Sequence, residues 1–192
     1  CLPGAITYDG TVAFKGHGFQ VHVGHNKPTS RGHVRVTSKD IKKHPDILFN
    51  YLETEKDKQG FRDCVRLTRE IMSQTAMNQY RGEVIQPKDD VQDNDQIDAF
   101  VRDAVDSAYH PSCSCKMGID PMSVVDPDLK VHGLSRLRIV DSSVFPTIPN
   151  GNLNAPTMML AERGADLIKG SSIQPKHRAS VYINEHWQTS QK

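Results

Sequence analysis

The sequence predicts an α+β fold, an antiparallel sheet flanked by helices with a final strand–loop–helix that belongs to a second sheet. Three observations predict it. Apolar and polar residues alternate early in the chain, in the period of a half-buried strand. Helical spacing takes over twice further on. Last, "LRIVDSSVFPTIPNGNLNAP" (137–156) reads as a short apolar strand, a Pro/Asn/Gly loop and the start of a helix.

Each element has its own warrant. In "GFQVHVGH" (18–25), Phe19, Val21 and Val23 alternate with Gln20 and His22. "HVRVTS" (33–38) repeats the pattern after the "KPTSRG" turn, so the two segments are expected to pair as an antiparallel hairpin. "PDILFNYLET" (45–54) follows as a third short strand or extended segment. Thr54 then offers a capping hydroxyl with Asp57 three residues on, a helix-start signature. Phe61, Cys64, Val65, Thr68, Ile71 and Met72 fall on one helical face, so the spacing predicts a helix over 55–77 with Cys64 packed. Asp93 is placed to cap a second helix whose stripe is Ile97, Phe100, Val101, Ala104 and Val105. A third begins near Asn154 with Pro156 in its first turn and ends at Gly170, where a left-handed cap residue is wanted.

Composition narrows the function classes. The chain has 192 residues, 36% hydrophobic and 24% charged, with a formal net charge of +1. Its Lys and Arg are interleaved with acids and form no stripe for nucleic acid. Neither a signal peptide nor an apolar run long enough to span a bilayer is expected. Four unevenly spread Cys argue for a reducing compartment over a disulfide scaffold. The chain opens on Cys1 and "CLPGAITYDG" has the character of a mid-protein loop, so a C-terminal piece of a longer protein is expected.

"YHPSCSCKMG" (109–118) concentrates the chemistry. His110, Cys113 and Cys115 form H-x2-C-x-C, but structural zinc uses paired ligands at wider spacing and a fourth donor, and the expectation is no metal. A disulfide between Cys113 and Cys115 would close a strained ring, and a buried structural histidine with two packed thiols stays open as a reading. His17, His22, His25 and His33 raise the metal question again; His22 and His25 would point to opposite strand faces. Neither a P-loop, a G-x-S-x-G elbow nor a complete G-x-G-x-x-G occurs.

This motif, followed by "VVDPDLKVHGLSRLRIVDSSVFPTIPNGNLNAPTMMLAERGADLIKG", resembles the C-terminal signature of the glucose–methanol–choline flavin oxidoreductases. The upstream "GFQVHVG…SRGHVRVTSKD…HPDILFNYL" is similar to that family's substrate domain. The resemblance implies a substrate-binding domain over 1–136, the terminal strand–loop–helix of an FAD-binding domain over 137–170, and a C-terminal arm over 171–192. It implies that the Gly-rich half clamping the ADP part of FAD lies upstream, so this piece alone is not expected to retain FAD.

What it implies for function is oxidation of choline, or a similar small primary alcohol, to the aldehyde by the longer chain, with hydride passing to the flavin. His110 matches the family's active-site histidine, which either takes the hydroxyl proton or stabilises the alkoxide. Asn154 matches a second catalytic position; on its residue type alone it is equally suited to cap a helix. Pro156 and Thr157 would lie at the flavin edge, and Asp141 and Ser142 near its phosphate–ribitol side. Tyr109 would offer a ring face to a quaternary ammonium. The resemblance leaves the electron acceptor open, and implies a cytoplasmic enzyme or one peripheral to an inner membrane (mitochondrial in a eukaryote). A non-enzymatic α+β binding module, with His110 and Asn154 structural, is the alternative.

Overall fold

The structure, a computed structural model, describes residues 2–4 and 16–171 and a few isolated positions beyond them. The arm expected over 171–192 lies almost wholly outside the described residues. Among the described residues, four short strands, three helices and two single 3-10 turns follow in the order β1 (Leu2–Pro3), β2 (Phe19–Gln20), β3 (His33–Arg35), β4 (Asp46–Leu48), α1 (Glu55–Ser73), a turn at Thr75–Met77, α2 (Asn94–Ala104), a turn at Ser142–Val144 and α3 (Asn154–Lys169).

The strands are antiparallel, as expected, but not partnered as expected. β2 pairs with β1, and β3 pairs with β4 in the register His33–Leu48, Val34–Ile47, Arg35–Asp46. The hairpin predicted between 18–25 and 33–38 therefore does not form. Its intervening "KPTSRG" residues are held by α1, whereas the 36–45 connection closes on itself. Thr37 Oγ1 donates to the His44 carbonyl at 3.1 Å, and the Asp40 carboxylate accepts from Lys42 N–H at 3.0 Å. That local closure favours pairing 33–35 with 46–48. Beyond Gln20 the alternating 21–25 segment forms no strand, so the opposed-face reading of His22 and His25 has no sheet to act on.

The helices form where the capping residues predict. Thr54 Oγ1 accepts from Asp57 N–H at 3.3 Å, and Asp93 with Gln96 completes a reciprocal capping box at α2. Gly170 closes α3 at φ 69°, a left-handed position that costs glycine little. Asn154 does not cap α3: Leu153 occupies that position, without a side-chain cap, and Asn154 is the first helical residue with Pro156 third.

Two small cores result. Val65 of α1 packs against Ile97 and Val101 of α2, with Leu52, Phe61, Val91, Phe100 and Val105 at the edges. Arg62, itself buried, spans the same helix pair and donates to Glu55 at 2.6 Å and to both carboxylate oxygens of Asp98. The second core joins Val125, Leu129, Val144 and Leu160, with Val140 and Ile139 packed against it. At about 1.5–3 kcal/mol per fully buried aliphatic side chain, each core is a modest contribution.

The buried strand expected at 137–141 is reduced to one isolated bridge, Arg138 to Lys130. Ile139 N–H donates to Leu129 O at 3.2 Å and Val131 N–H to Leu137 O at 3.1 Å; these two bonds form that bridge, and the pairing extends no further. Val140 instead meets α3 at Gly164, where a Cβ would come within 2.4 Å of Val140 Cγ1. That close approach sets the position of α3 against the 137–144 segment.

Candidate functional site

The motif of 109–118 docks on the turn at 142–144. Cys113, Cys115 and Met117 N–H groups donate in succession to the carbonyls of Ser142, Ser143 and Val144, at 3.3, 2.9 and 2.8 Å. Every second amide of the motif is used, as in a strand edge, although the partner is a turn. Ser142 Oγ returns a bond to Pro111 O at 3.4 Å. Val144, fully buried, nails the turn into the core beneath α3. The fold thus carries the middle of the chain onto the turn that precedes the last helix.

His110 stands on the wall of an open cleft of about 2740 Å³ that is also lined by Pro111, Cys113, Asp141, Ser142 and Asn152. It is half-buried, and among the described residues no group is hydrogen-bonded to its ring. Its backbone is bracketed by two left-handed residues, Tyr109 at φ 55° and Cys113 at φ 69°. Tyr109 N–H is held by Ser107 Oγ at 3.0 Å, and its ring is 68% exposed beside the cleft and not on its wall.

The structure therefore brings His110, Asp141 and Ser142 together. Asn154, Pro156 and Thr157 open α3 two residues beyond Asn152 and do not line the same cleft. Asp141 turns its carboxylate onto Ser143 N–H at 2.8 Å and shapes the turn that receives the motif. Thr157 N–H is already engaged with Leu153 O at 2.9 Å, leaving its hydroxyl, while the amides of Asn154 and Ala155 begin a helix without a side-chain cap.

Among the described residues, no three His, Cys, Asp or Glu side chains converge to hold a metal ion, and Cys113 and Cys115 are free thiols. Burial raises the pKa of the Cys64 thiol on α1, with Asp63 adding to it, as expected of a packed cysteine.

One arrangement at the cleft escaped sequence reasoning. Asp57, 2% exposed, does not fold back on its own cap. Its Oδ1 accepts from Thr29 N–H at 2.7 Å and Thr29 Oγ1 at 2.9 Å, and its Oδ2 from Ser30 N–H at 2.8 Å and Ser30 Oγ at 2.6 Å. Burial alone would raise its pKa, but the bonds from Ser30 and Thr29 outweigh it and hold the carboxyl well below the usual range. His25 lies against Gly60 with its Nδ1 3.5 Å from Asp57 Oδ1, within ion-pair reach and too poorly aligned for a hydrogen bond. His25, Thr29, Ser30 and Asp57 line the same cleft as His110. The only sequence signal was an acid after a capping hydroxyl, which pointed to a local partner.

A family model described as GMC oxidoreductase, its C-terminal domain, matches residues 28–161. The chain belongs to the GMC oxidoreductase family. Two curated relatives, each named oxygen-dependent choline dehydrogenase, come from Photobacterium profundum and Vibrio vulnificus. They are 57% and 58% identical over 193 aligned residues, covering 100% of this chain and 34% of theirs. The chain therefore spans about a third of the length of these GMC relatives. Among solved structures, pyridoxine 4-oxidase from Mesorbium loti superposes with a TM-score of 0.71 at 29% identity, over 77% of this chain and 29% of that one. An FAD-dependent oxidoreductase from Chaetomium thermophilum gives 0.72 at 30% identity, over 76% and 26%. The α+β architecture and the 109–170 signature are thus those of GMC oxidoreductases. No helix among the described residues is long and apolar enough to cross a membrane.

Proposed function

We propose that this chain is the C-terminal portion of an FAD-dependent enzyme that oxidises choline to betaine aldehyde. The observation that carries the reading is His110, half-buried on the cleft wall with no ring partner among the described residues, in a chain 57% identical throughout to a relative named oxygen-dependent choline dehydrogenase. The rest of the longer protein would supply the Gly-rich FAD-binding half, and this piece alone would not retain the cofactor.

The local residues fit such a cofactor. The start of α3 has open amides and the positive end of a helix dipole, worth about 0.3–2 kcal/mol to an anionic flavin edge. Pro156 and the Thr157 hydroxyl would lie beside that edge, and Ser142 near the phosphate–ribitol side. Asp141, committed to Ser143 N–H, would meet that side through backbone and turn shape. When bound, the flavin supplies the acceptor for a hydride from the alcohol carbon.

The chain's own residues would manage the proton and the charge. A neutral imidazole nitrogen of His110 takes the hydroxyl proton or holds the alkoxide by donating to it. Asn154, two residues beyond the cleft-lining Asn152, would donate an amide hydrogen to the same oxygen once substrate and cofactor bridge the cleft and the start of α3. Tyr109, exposed beside the cleft next to His110, would reach the trimethylammonium group by turning its ring to the cleft mouth. The test uses the full-length protein under anaerobic conditions. The oxidised flavin band should bleach with choline and much more slowly with a neutral alcohol of the same length. A protein without a flavin band, or one bleached equally by both, would refute the reading.

A further inference from the structure

The described residues of the 109–113 segment are constrained at nearly every backbone bond. Tyr109 sits in the left-handed region at φ 55° and Cys113 at φ 69°. Neither is the Gly, Asn or Asp that tolerates this region most readily, and such residues persist there only where their surroundings hold them. His110 precedes Pro111, which disfavours helical backbone at His110, and the Pro111 ring fixes its own φ.

The hydrogen bonds alone do not hold this conformation firmly. Cys113 N–H reaches Ser142 O at 3.3 Å and Ser142 Oγ reaches Pro111 O at 3.4 Å, both long. The Cys113 side chain adds what they lack: it is half-buried on the cleft wall, and its Sγ lies 3.3 Å from Ser112 Oγ. We propose that Cys113 is a positioning residue, whose side-chain-held left-handed backbone, with Pro111 and the left-handed Tyr109 before it, fixes the direction in which the His110 imidazole enters the cleft. Cys113 touches no reacting atom in this account; it acts through His110. The proposal rests on the function proposed above, because a histidine with no substrate needs no aim.

The distinguishing property is the response to glycine. Glycine adopts φ 69° without strain, so a role limited to making the turn predicts that Cys113→Gly retains everything. A positioning role predicts a loss, since glycine removes the packed side chain and reopens the other backbone regions. A misplacement of about 1 Å can cost about 10²-fold in rate. In the full-length enzyme, Cys113→Gly is expected to lower the rate of anaerobic flavin reduction at saturating choline by about 10- to 100-fold. KM and melting temperature should stay near wild type. Cys113→Asn, which keeps a side chain of suitable size and tolerates the left-handed region, should recover most of the rate.

Wild-type reduction by Cys113→Gly, or a loss that Asn does not recover, would overturn the proposal. His110→Ala is measured alongside. If it reduces flavin normally, the proposed function fails and the positioning role with it. If it is slow while Cys113→Gly is not, only the positioning role fails.

Discussion

Replacing Asp57 by Asn tests the least expected part of the cleft wall. The substitution keeps the shape and one acceptor oxygen but puts an amide NH2 where the second carboxylate oxygen stood. Asp57 accepts four bonds, from the backbone N–H and the hydroxyl of both Thr29 and Ser30. A hydroxyl can rotate and accept from the new NH2, whereas a backbone N–H cannot. One buried N–H is therefore left facing a donor, at about 1–3 kcal/mol, and the remaining bonds lose their charge assistance. The expected cost is about 2–4 kcal/mol, or roughly 4–16 °C in the melting temperature of a unit of this size. Urea unfolding of the full-length protein reads it. Asp57→Asn, Ser30→Ala and the double variant should show strong coupling, because each removes part of one cluster.

The pH dependence has a definite sign. The folded carboxyl titrates below its ordinary value, so the unfolded chain binds the proton more readily. Its contribution is complete at neutral pH and declines as pH falls below about 4 towards the lower folded value. The Asn variant should lack that decline. A cost under about 0.5 kcal/mol, or an unchanged acid limb, would show that the 29–30 turn does not depend on Asp57.

Two further outcomes follow from the packing. Gly164→Ala should destabilise by up to about 2 kcal/mol net: overpacking against Val140, about 1–3, matches or exceeds the gain of roughly 1 in helix propensity. Thermal unfolding checks it, and a stabilised variant would mean Val140 yields freely. Asn154→Ala should slow flavin reduction by up to about 10³-fold with an unchanged melting temperature, since Leu153 and not Asn154 caps α3; a fall in melting temperature with normal reduction would make Asn154 structural.

The helices were legible because their signals are local. Thr54, Asp93 and Gly170 each act within one turn, and the apolar faces of α1 and α2 repeat at 3.6 residues. Strand pairing was not, because alternation in 19–23 and 33–37 says which residues are extended and nothing about their neighbours. The choice fell to the 36–45 turn. At Asp57 only the helix start was legible: the partners of its carboxylate lie 27 and 28 residues upstream, and sequence offers no measure of that approach. The strand expected at 137–141 shows the reverse error, since an apolar run forms a strand only where a ladder partner is present. At the candidate site, the sequence placed His110, Asp141 and Ser142, which the fold does bring to one cleft. It could not foresee that Tyr109 would turn outward or that Cys113 would be left-handed.

The central claim is that His110 handles the substrate hydroxyl, and a single-turnover measurement tests it most directly. Full-length wild type and His110→Ala are mixed anaerobically with choline, the decay of the oxidised flavin band is timed, and melting temperatures are recorded. A positioned base contributes about 10²–10⁴-fold, so the variant should be slower by that factor while melting within a degree or two of wild type. Reduction at the wild-type rate would contradict the account and leave His110 a structural histidine.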